Sequence, residues 1–295
     1  MTLVVAKGAL LTQAIHSTYD ADLGLNPHAY QQLESARSRT AFGRRARRRL
    51  VLLEGSRLVA SAVESDFRAV YQGEEIRLCG IGPISGLTGR DADQRRQRLI
   101  ELVVERVRRT GAEMIALVVP WGPGVADAPP PGFVSVLPTE VMLEVAKPVR
   151  YGAPMTMVRG GETRDLPAIV AMGRARAATF QFHLDRDVDL IEYAITTKRL
   201  IAGLAPVQTR SLQFFIAEEG TTAAAYVVLS SVGGHWTIEE CGDRDPSGAR
   251  VGALLQALIA REPAESRPTI SGWLPAGLEP PQVTVARAVH ASHVL

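Results

Sequence analysis

Only two of the 295 residues are cysteines, Cys79 and Cys241. Two thiols make neither a disulfide framework nor a metal cluster by themselves, and a reducing compartment suits them best. An excess of one charge is also missing: 33 Lys and Arg stand against 31 Asp and Glu, a formal net charge of +2. Overall charge therefore makes no case for a nucleic-acid partner. Aromatic residues are 5% of the chain, and no apolar run reaches the length of a membrane span. Residues 1–15 lack a basic start and a small-residue cleavage pattern, so no export signal is read. These absences lead to the expectation of a cytoplasmic protein with no membrane partner and no metal. What is present is ordinary globular composition, 46% hydrophobic and 22% charged, over a length that suits two modest domains.

The first half opens with helical patterns at 9–19 and 27–39, followed by Arg44, Arg45, Arg47, Arg48 and Arg49. A nucleic-acid patch and a solvated surface segment both fit that run. The second fits better, because only Phe42 accompanies the arginines and stacking platforms need more. A hairpin is expected at 50–53 and 58–63, a strand at 75–84, and an amphipathic helix at 93–109 with Leu99, Leu102, Val103 and Val107 on one face. An apolar strand at 114–119 ends at Pro120, the proline-rich 121–132 loops, and 133–137 and 140–145 close the half as a strand pair. Residues 149–161 gather Gly and Pro and read as a linker.

The second half repeats this order: helices at 165–182 and 188–204, a hairpin at 212–217 and 222–229, a strand at 235–241, a helix at 251–261, and a strand at 270–274 ended by Pro275. Gly55 and Gly220 of the two hairpin turns lie 165 residues apart (220 − 55), and the two strand-ending prolines 155 apart (275 − 120). An element order reproduced at similar offsets is the mark of a duplicated unit. Two domains are expected, 1–148 and 162–295. The alternating pattern of 283–295 stops at Val294 and Leu295 where the first half has two strands, so the expectation is that either this copy or the chain itself is shortened in the last strand.

The clearest chemical signal is the strand, tight loop and helix of 235–261. Such a loop offers backbone N–H groups at the positive end of a helix, and Gly248 and Gly252 have no side chain to obstruct an anion. The plain alternative is a junction whose glycines only turn the chain. Arg90, Arg95, Arg96 and Arg98 crowd the corresponding helix start of the first half, where phosphate contact and ordinary solvation fit equally. The cysteines read as small buried hydrophobes rather than nucleophiles. Trp121 and Trp273 read as packing residues.

On this element order each half resembles the GNAT (GCN5-related N-acetyltransferase) fold, and the pair resembles the tandem GNAT arrangement. The fold class that the resemblance implies is α/β (α+β), each domain a mixed, mostly antiparallel sheet with a central splayed strand pair flanked by helices. In that family a Q/R-x-x-G-x-G/A loop at a helix start binds the pyrophosphate of an acyl-coenzyme A. Ser247, Gly248, Ala249, Arg250, Val251 and Gly252 align with it in the second half, with Ser in the first position and Arg in place of the middle Gly. In the first half Gln94, Arg95 and Arg96 stand at that place, and the glycines lie earlier, at Gly86 and Gly89.

The resemblance implies N-acyl transfer from acetyl-CoA or another acyl-CoA to a small-molecule or peptide amine, with the second copy as the better cofactor site. The amine must lose a proton, and Glu239 and Glu240 are the candidate bases. Strand alternation lets at most one of them face the cleft, and a salt-bridged or solvated glutamate is the plain alternative. No Tyr follows Tyr226 to serve the leaving thiolate, and His235 and His290 read as surface groups. The second functional reading is a non-catalytic CoA-binding or interaction module with degenerate GNAT domains.

Overall fold

The computed structural model describes residues 1–17, 25–86, 91–117, 132–134, 139–146, 157–204, 210–272, 274–275 and 277–290. They form two compact units, 1–120 with 177–206 and 121–176 with 207–294.

The first unit is built on a sheet of order β1-β2-β3-β4-β5. Its strands are β1 (Thr2–Val5), β2 (Arg47–Glu54), β3 (Arg57–Tyr71), β4 (Glu74–Gly86) and β5 (Met114–Leu117). All neighbours are antiparallel except β4 and β5. The helices are α1 (Gly8–Ser17), α2 (Pro27–Arg39), α3 (Ala41–Ala46) and α4 (Ala92–Arg109). Asn26 starts α2 by accepting a hydrogen bond from the Ala29 N–H at 2.8 Å, with Pro27 in the first turn where its missing N–H costs nothing. In α4, Leu99, Val103 and Val107 recur every fourth residue and are buried against Leu50, Leu52, Ala60, Ala62, Cys79 and Ile81.

The second unit carries a seven-stranded sheet of order β13-β6-β12-β11-β10-β9-β7. It consists of β6 (Thr139–Val145), β7 (Met157–Gly160), β9 (Arg210–Glu219), β10 (Thr222–Val232), β11 (His235–Asp243), β12 (Thr269–Gly272) and β13 (Val283–His290). Its helices are α5 (Leu166–Ala177) and α7 (Ala249–Ile259). Val251, Leu254, Leu255 and Leu258 of α7 lie buried on Ala217, Ala225, Val227, Leu229, Ile238, Cys241 and Ile270. The expected hairpins are both present with two-residue turns led by Gly55 and Gly220, at φ +61° and +66°.

Several expectations are corrected. The 140–145 strand does not close the first half's sheet. As β6 it lies between β12 and β13 in the second, with Leu143 paired to Ile270 and to Val285. Its apolar Val141, Leu143 and Val145 belong to the core under α7. A strand of the first half thus lies within the second sheet. The 165–182 helix ends at Ala177, after which β8 (Phe182–Leu184) pairs with the far end of β3. Helix α6 (Val188–Leu204) packs on α2 and α3 of the first unit, where Ile201 meets Leu25, Ala29, Tyr30 and Leu33. The linker 149–161 contains β7, paired with β9. The units therefore do not follow the expected 1–148 and 162–295 boundaries. The loop at 121–131 and the strand at 135–137 lie outside the described residues.

Candidate functional site

The two parallel strand pairs share one local design. In the first sheet β4 pairs with β5 from Leu78↔Met114 to Ile81↔Leu117. The next residues, Gly82 and Pro83, fall in a bulge against β3, where the register passes from Glu64↔Ile81 to Ala62↔Ile84. Pro83 has no N–H to give to a ladder, which is why a strand carrying it must bulge there. In the second sheet β11 pairs with β12 from His235↔Thr269 to Ile238↔Gly272, and Glu239 is the extra residue of a bulge against β10. In both, the residue after the last described parallel pair is the first of the bulge. Here the backbone of β4 and of β11 is turned out of its ladder with β3 and with β10.

That bulge corrects the expectation for the two glutamates. Ile238 and Cys241 both join the core under α7, although two residues separate them. Glu239 and Glu240 therefore share the opposite face. The Ser230 hydroxyl donates to Glu239 Oε1 and the Tyr226 hydroxyl to Glu240 Oε1, each at 2.7 Å. Strict alternation would have separated the two carboxylates, and the inserted residue removes it.

At the start of α7 the expected anion site is already filled. Asp243 is fully buried in its side chain and accepts from the N–H groups of Asp245 (2.8 Å), Arg250 (2.8 Å) and Val251 (3.4 Å), and from Arg250 Nη1 (3.3 Å). Asp245 accepts from the Ser247 N–H, and Ser247 from the Ala249 N–H. Arg244, Gly248 and Gly252 donate to the carbonyls of Ala224, Asp245 and Gly248. Pro246 has no N–H, so each N–H from Arg244 to Gly252 has an acceptor within the chain. The glycines serve close approach of a different kind. A Cβ on Gly248 would lie 2.6 Å from Leu278 Cδ1, and one on Gly252 would overlap Gln282 Oε1. Residues 278–282 occupy the space that the sequence assigns to a pyrophosphate. Ser247–Gly252 are brought together as expected, but around the chain's own carboxylate.

The start of α4 differs. Asp91 precedes it without giving a side-chain cap. Gln94 is exposed, and Arg96 is partly exposed beside Asp93 at 3.4 Å. Arg95 is tucked in, with Nη2 at 3.5 Å from Asp91 and 3.8 Å from Glu54, and its buried Nε has no partner among the described residues. Arg98 pairs with Glu101 at 3.0 Å. Arg90, Gly89, Trp121 and Trp273 lie outside the described residues. Burial pushes the Cys79 and Cys241 thiols up to about 12, which suits packing and not nucleophilic attack. His235 is held by Thr269 at 2.7 Å and by Ser271 at 2.8 Å. Among the described residues no group of three or more His, Cys, Asp or Glu is placed to hold a metal ion.

The basic run is solvated only in part: Arg44 and Arg45 are exposed, whereas Arg47 and Arg49 are not. Arg48 turns to the α4 face and pairs with Glu64 at 3.2 Å and Asp66 at 2.6 Å, while Arg106 holds the other oxygen of Glu64. Arg47 and Arg49 turn to the opposite face and are buried against α2, where they meet Glu34. Arg45 bridges Asp187 and Asp189. β2 begins within the run, so strand alternation divides the arginines between the two faces of the sheet.

No family model matches the sequence, and no curated relative matches it. Solved structures do. A probable N-acyltransferase of Enterococcus faecalis V583 is similar over 98% of this chain and 71% of its own, with a TM-score of 0.60 and 12% identity. A GCN5-related N-acetyltransferase of Kribbella flavida is similar over 97% and 70%, with a TM-score of 0.57 and 15% identity. N-myristoyltransferase of Saccharomyces cerevisiae with bound myristoyl-CoA is similar over 92% and 76%, with a TM-score of 0.51 and 8% identity. Identities this low speak for architecture alone, and with two bulged, mixed sheets in sequence the chain has the GCN5-related N-acetyltransferase fold in tandem.

Proposed function

We propose that this protein is an acyl-coenzyme A-dependent N-acyltransferase, with acetyl as its acyl group and a primary amine of a small molecule or peptide as acceptor. The observation that carries the reading is the Gly82–Pro83 bulge in β4 against β3, which begins one residue past the last described pair with β5. A bulge turns backbone polar groups out of the ladder, and an N–H so placed stabilises the oxyanion of a thioester under attack. The amine nitrogen bonds to the acyl carbon, the carbon–sulfur bond breaks, and the proton released by the amine goes to the departing thiolate.

In this reading the cofactor belongs to the first unit, with its pyrophosphate at the start of α4 beside Arg95, Gln94 and Arg96. Two facts support that choice over the second unit. Asp91 gives α4 no side-chain cap, whereas the N–H groups at the start of α7 are taken up within the chain. Asp243 favours the alternative, a module without cofactor, for the second unit alone. Glu239 and Glu240 are then not bases for a thioester bound beside them. A cytoplasmic setting is supported by two free, buried cysteines and by the finding that no described helix is long and apolar enough to cross a membrane.

Calorimetric titration with acetyl-CoA tests the reading. One site per chain is expected, weakened about tenfold or more by Arg95→Ala, the loss of a charge-assisted phosphate contact. It should be unaffected by Gly252→Ala. Absence of binding to both acetyl-CoA and free coenzyme A would give first place to the non-catalytic module.

A further inference from the structure

An aromatic ring lies where Gly80 of β4 would carry a side chain. A Cβ on Gly80 would stand 2.7 Å from Phe67 Cε2, 3.4 Å from its Cδ2 and 3.7 Å from its Cζ. Phe67 belongs to β3, where Ser65 pairs with Gly80 and Phe67 with Leu78. Cys79 and Ile81 are buried in the core under α4. Strand alternation therefore puts Leu78, Gly80 and Phe67 on the opposite face. Phe42, itself buried, stacks on the Phe67 ring with centroids 5.5 Å apart, and Phe42 in turn lies 5.0 Å from the Tyr193 ring. Phe67 is only partly buried, so its ring keeps some surface open. A glycine in a strand leaves a slot along the backbone, and here the Phe67 ring fills it.

The slot has a direction in the proposed transfer. Gly80 precedes the Gly82–Pro83 bulge by two residues, about 7 Å along the strand. Helix α4 follows β4 in the chain, so a cofactor whose pyrophosphate sits at the start of α4 comes to the bulge from the C-terminal end of β4. With the thioester carbon at the bulge, the acyl tail continues toward the N-terminal part of the strand. On the α4 face it would run into Cys79 and Ile81, which are packed in the core. On the other face the residue it meets is Gly80, and there the Phe67 ring stands in its way. An acetyl methyl ends before the ring, whereas further methylenes are driven into space already filled.

We propose that Phe67 sets the length of the acyl group: its ring, seated on Gly80 and backed by Phe42, closes the slot beyond the bulge, so that acetyl is accepted and longer chains are refused. The proposal rests on the transferase reading above and adds to it the residue that makes acetyl the acyl group.

Calorimetric titration with acetyl-CoA and with hexanoyl-CoA tests this without an acceptor amine. Wild type should bind hexanoyl-CoA about tenfold or more weakly than acetyl-CoA. In Phe67→Ala the slot is open, and each methylene that it buries strengthens binding by a factor of about four. Hexanoyl-CoA should therefore bind that variant about tenfold or more tightly than it binds wild type, while acetyl-CoA binds as before. Phe67→Val, whose branched side chain suits a strand, should shift the preference in the same direction by a smaller factor. It carries the test if alanine at this place unfolds the chain, and thermal unfolding identifies the folded variants. A wild type that binds hexanoyl-CoA as tightly as acetyl-CoA would overturn the role of Phe67 and leave the transferase reading standing. Folded variants that keep the wild-type ratio of the two affinities would do the same, because a ring that only supports the fold moves both affinities together. If wild type binds neither ligand, the transferase reading fails and the chain-length role falls with it.

Discussion

Glu34 shows how a single side chain is set by its surroundings. Burial alone pushes its carboxyl up, but Arg47, Arg49 and Arg37 outweigh it and bring it down to about 2. A carboxylate lowered by folding contributes stability above its unfolded value, and that contribution is lost as pH falls from about 4.3 through the folded value. A shift of this size corresponds to about 3 kcal/mol, and removing the Glu34 carboxylate takes from Arg37, Arg47 and Arg49 the partner that they share. Glu34→Gln should therefore cost about 3 kcal/mol or more in denaturant unfolding at neutral pH. The gap from wild type should narrow as the pH is lowered from about 4.3 toward 2; a gap independent of pH would show that the charge is not its origin. The basic run illustrates the limit of reading residues from sequence. Arg44 to Arg49 look like a surface patch because composition carries no information on which face of a strand each arginine takes. The glutamate that binds two of them lies 13 and 15 positions away in the chain. The thiols could be read, since burial is the largest cause that raises them. Neither Cys79 nor Cys241 should react with a thiol reagent at neutral pH until the protein unfolds, and rapid labelling of the native protein would contradict their burial.

At the scale of elements, the β11–α7 junction shows how one sequence pattern serves two ends. Its strand, turn and helix were legible from periodicity and from Gly, Asp, Pro and Ser in the turn. The cap was not, because Asp243 belongs to the strand and reaches N–H groups seven and eight residues ahead. Nor did the glycines reveal their purpose: a residue without a Cβ admits a phosphate or a neighbouring chain equally well, and here it admits Leu278 and Gln282. Asp243→Ala would remove the buried acceptor of three N–H groups and leave the Arg250 side chain with Glu219 at 2.8 Å and Asp245 at 3.9 Å. A loss of about 3 kcal/mol is expected from breaking a buried, hydrogen-bonded charge pair at a helix start. Acetyl-CoA binding measured below the lowered melting temperature should be unchanged. Binding that is lost with Asp243 while the fold persists would return the cofactor to the second unit. The bulges were likewise hidden: Gly82–Pro83 carries a local cause, but nothing in the composition of 235–243 marks Glu239 as the inserted residue.

Across the whole molecule, the duplication was legible as an order of elements, while the exchange between its copies was not. Periodicity identifies a strand by its own side chains and does not name the partner that it pairs with. β6 lies within the expected first domain and sits inside the second sheet, and α6 lies within the expected second domain and packs on α2 and α3. Each unit thus contains a segment of the other half of the chain. A cut between residues 148 and 149 would take β6 from between β12 and β13, breaking both of its pairings, and would strip Ile201 and Tyr193 from Leu33 and Phe42. Fragments 1–148 and 149–295, each prepared alone, should fail to unfold cooperatively. Mixed or co-expressed, they should recover one cooperative transition, since the missing pairings are restored by the partner fragment. If fragment 1–148 unfolded alone with the sharpness of the intact chain, the exchanged strand and helix would not be needed for its fold. Fragments that fold only together would instead make the exchange the reason that two copies of one fold behave as a single cooperative chain.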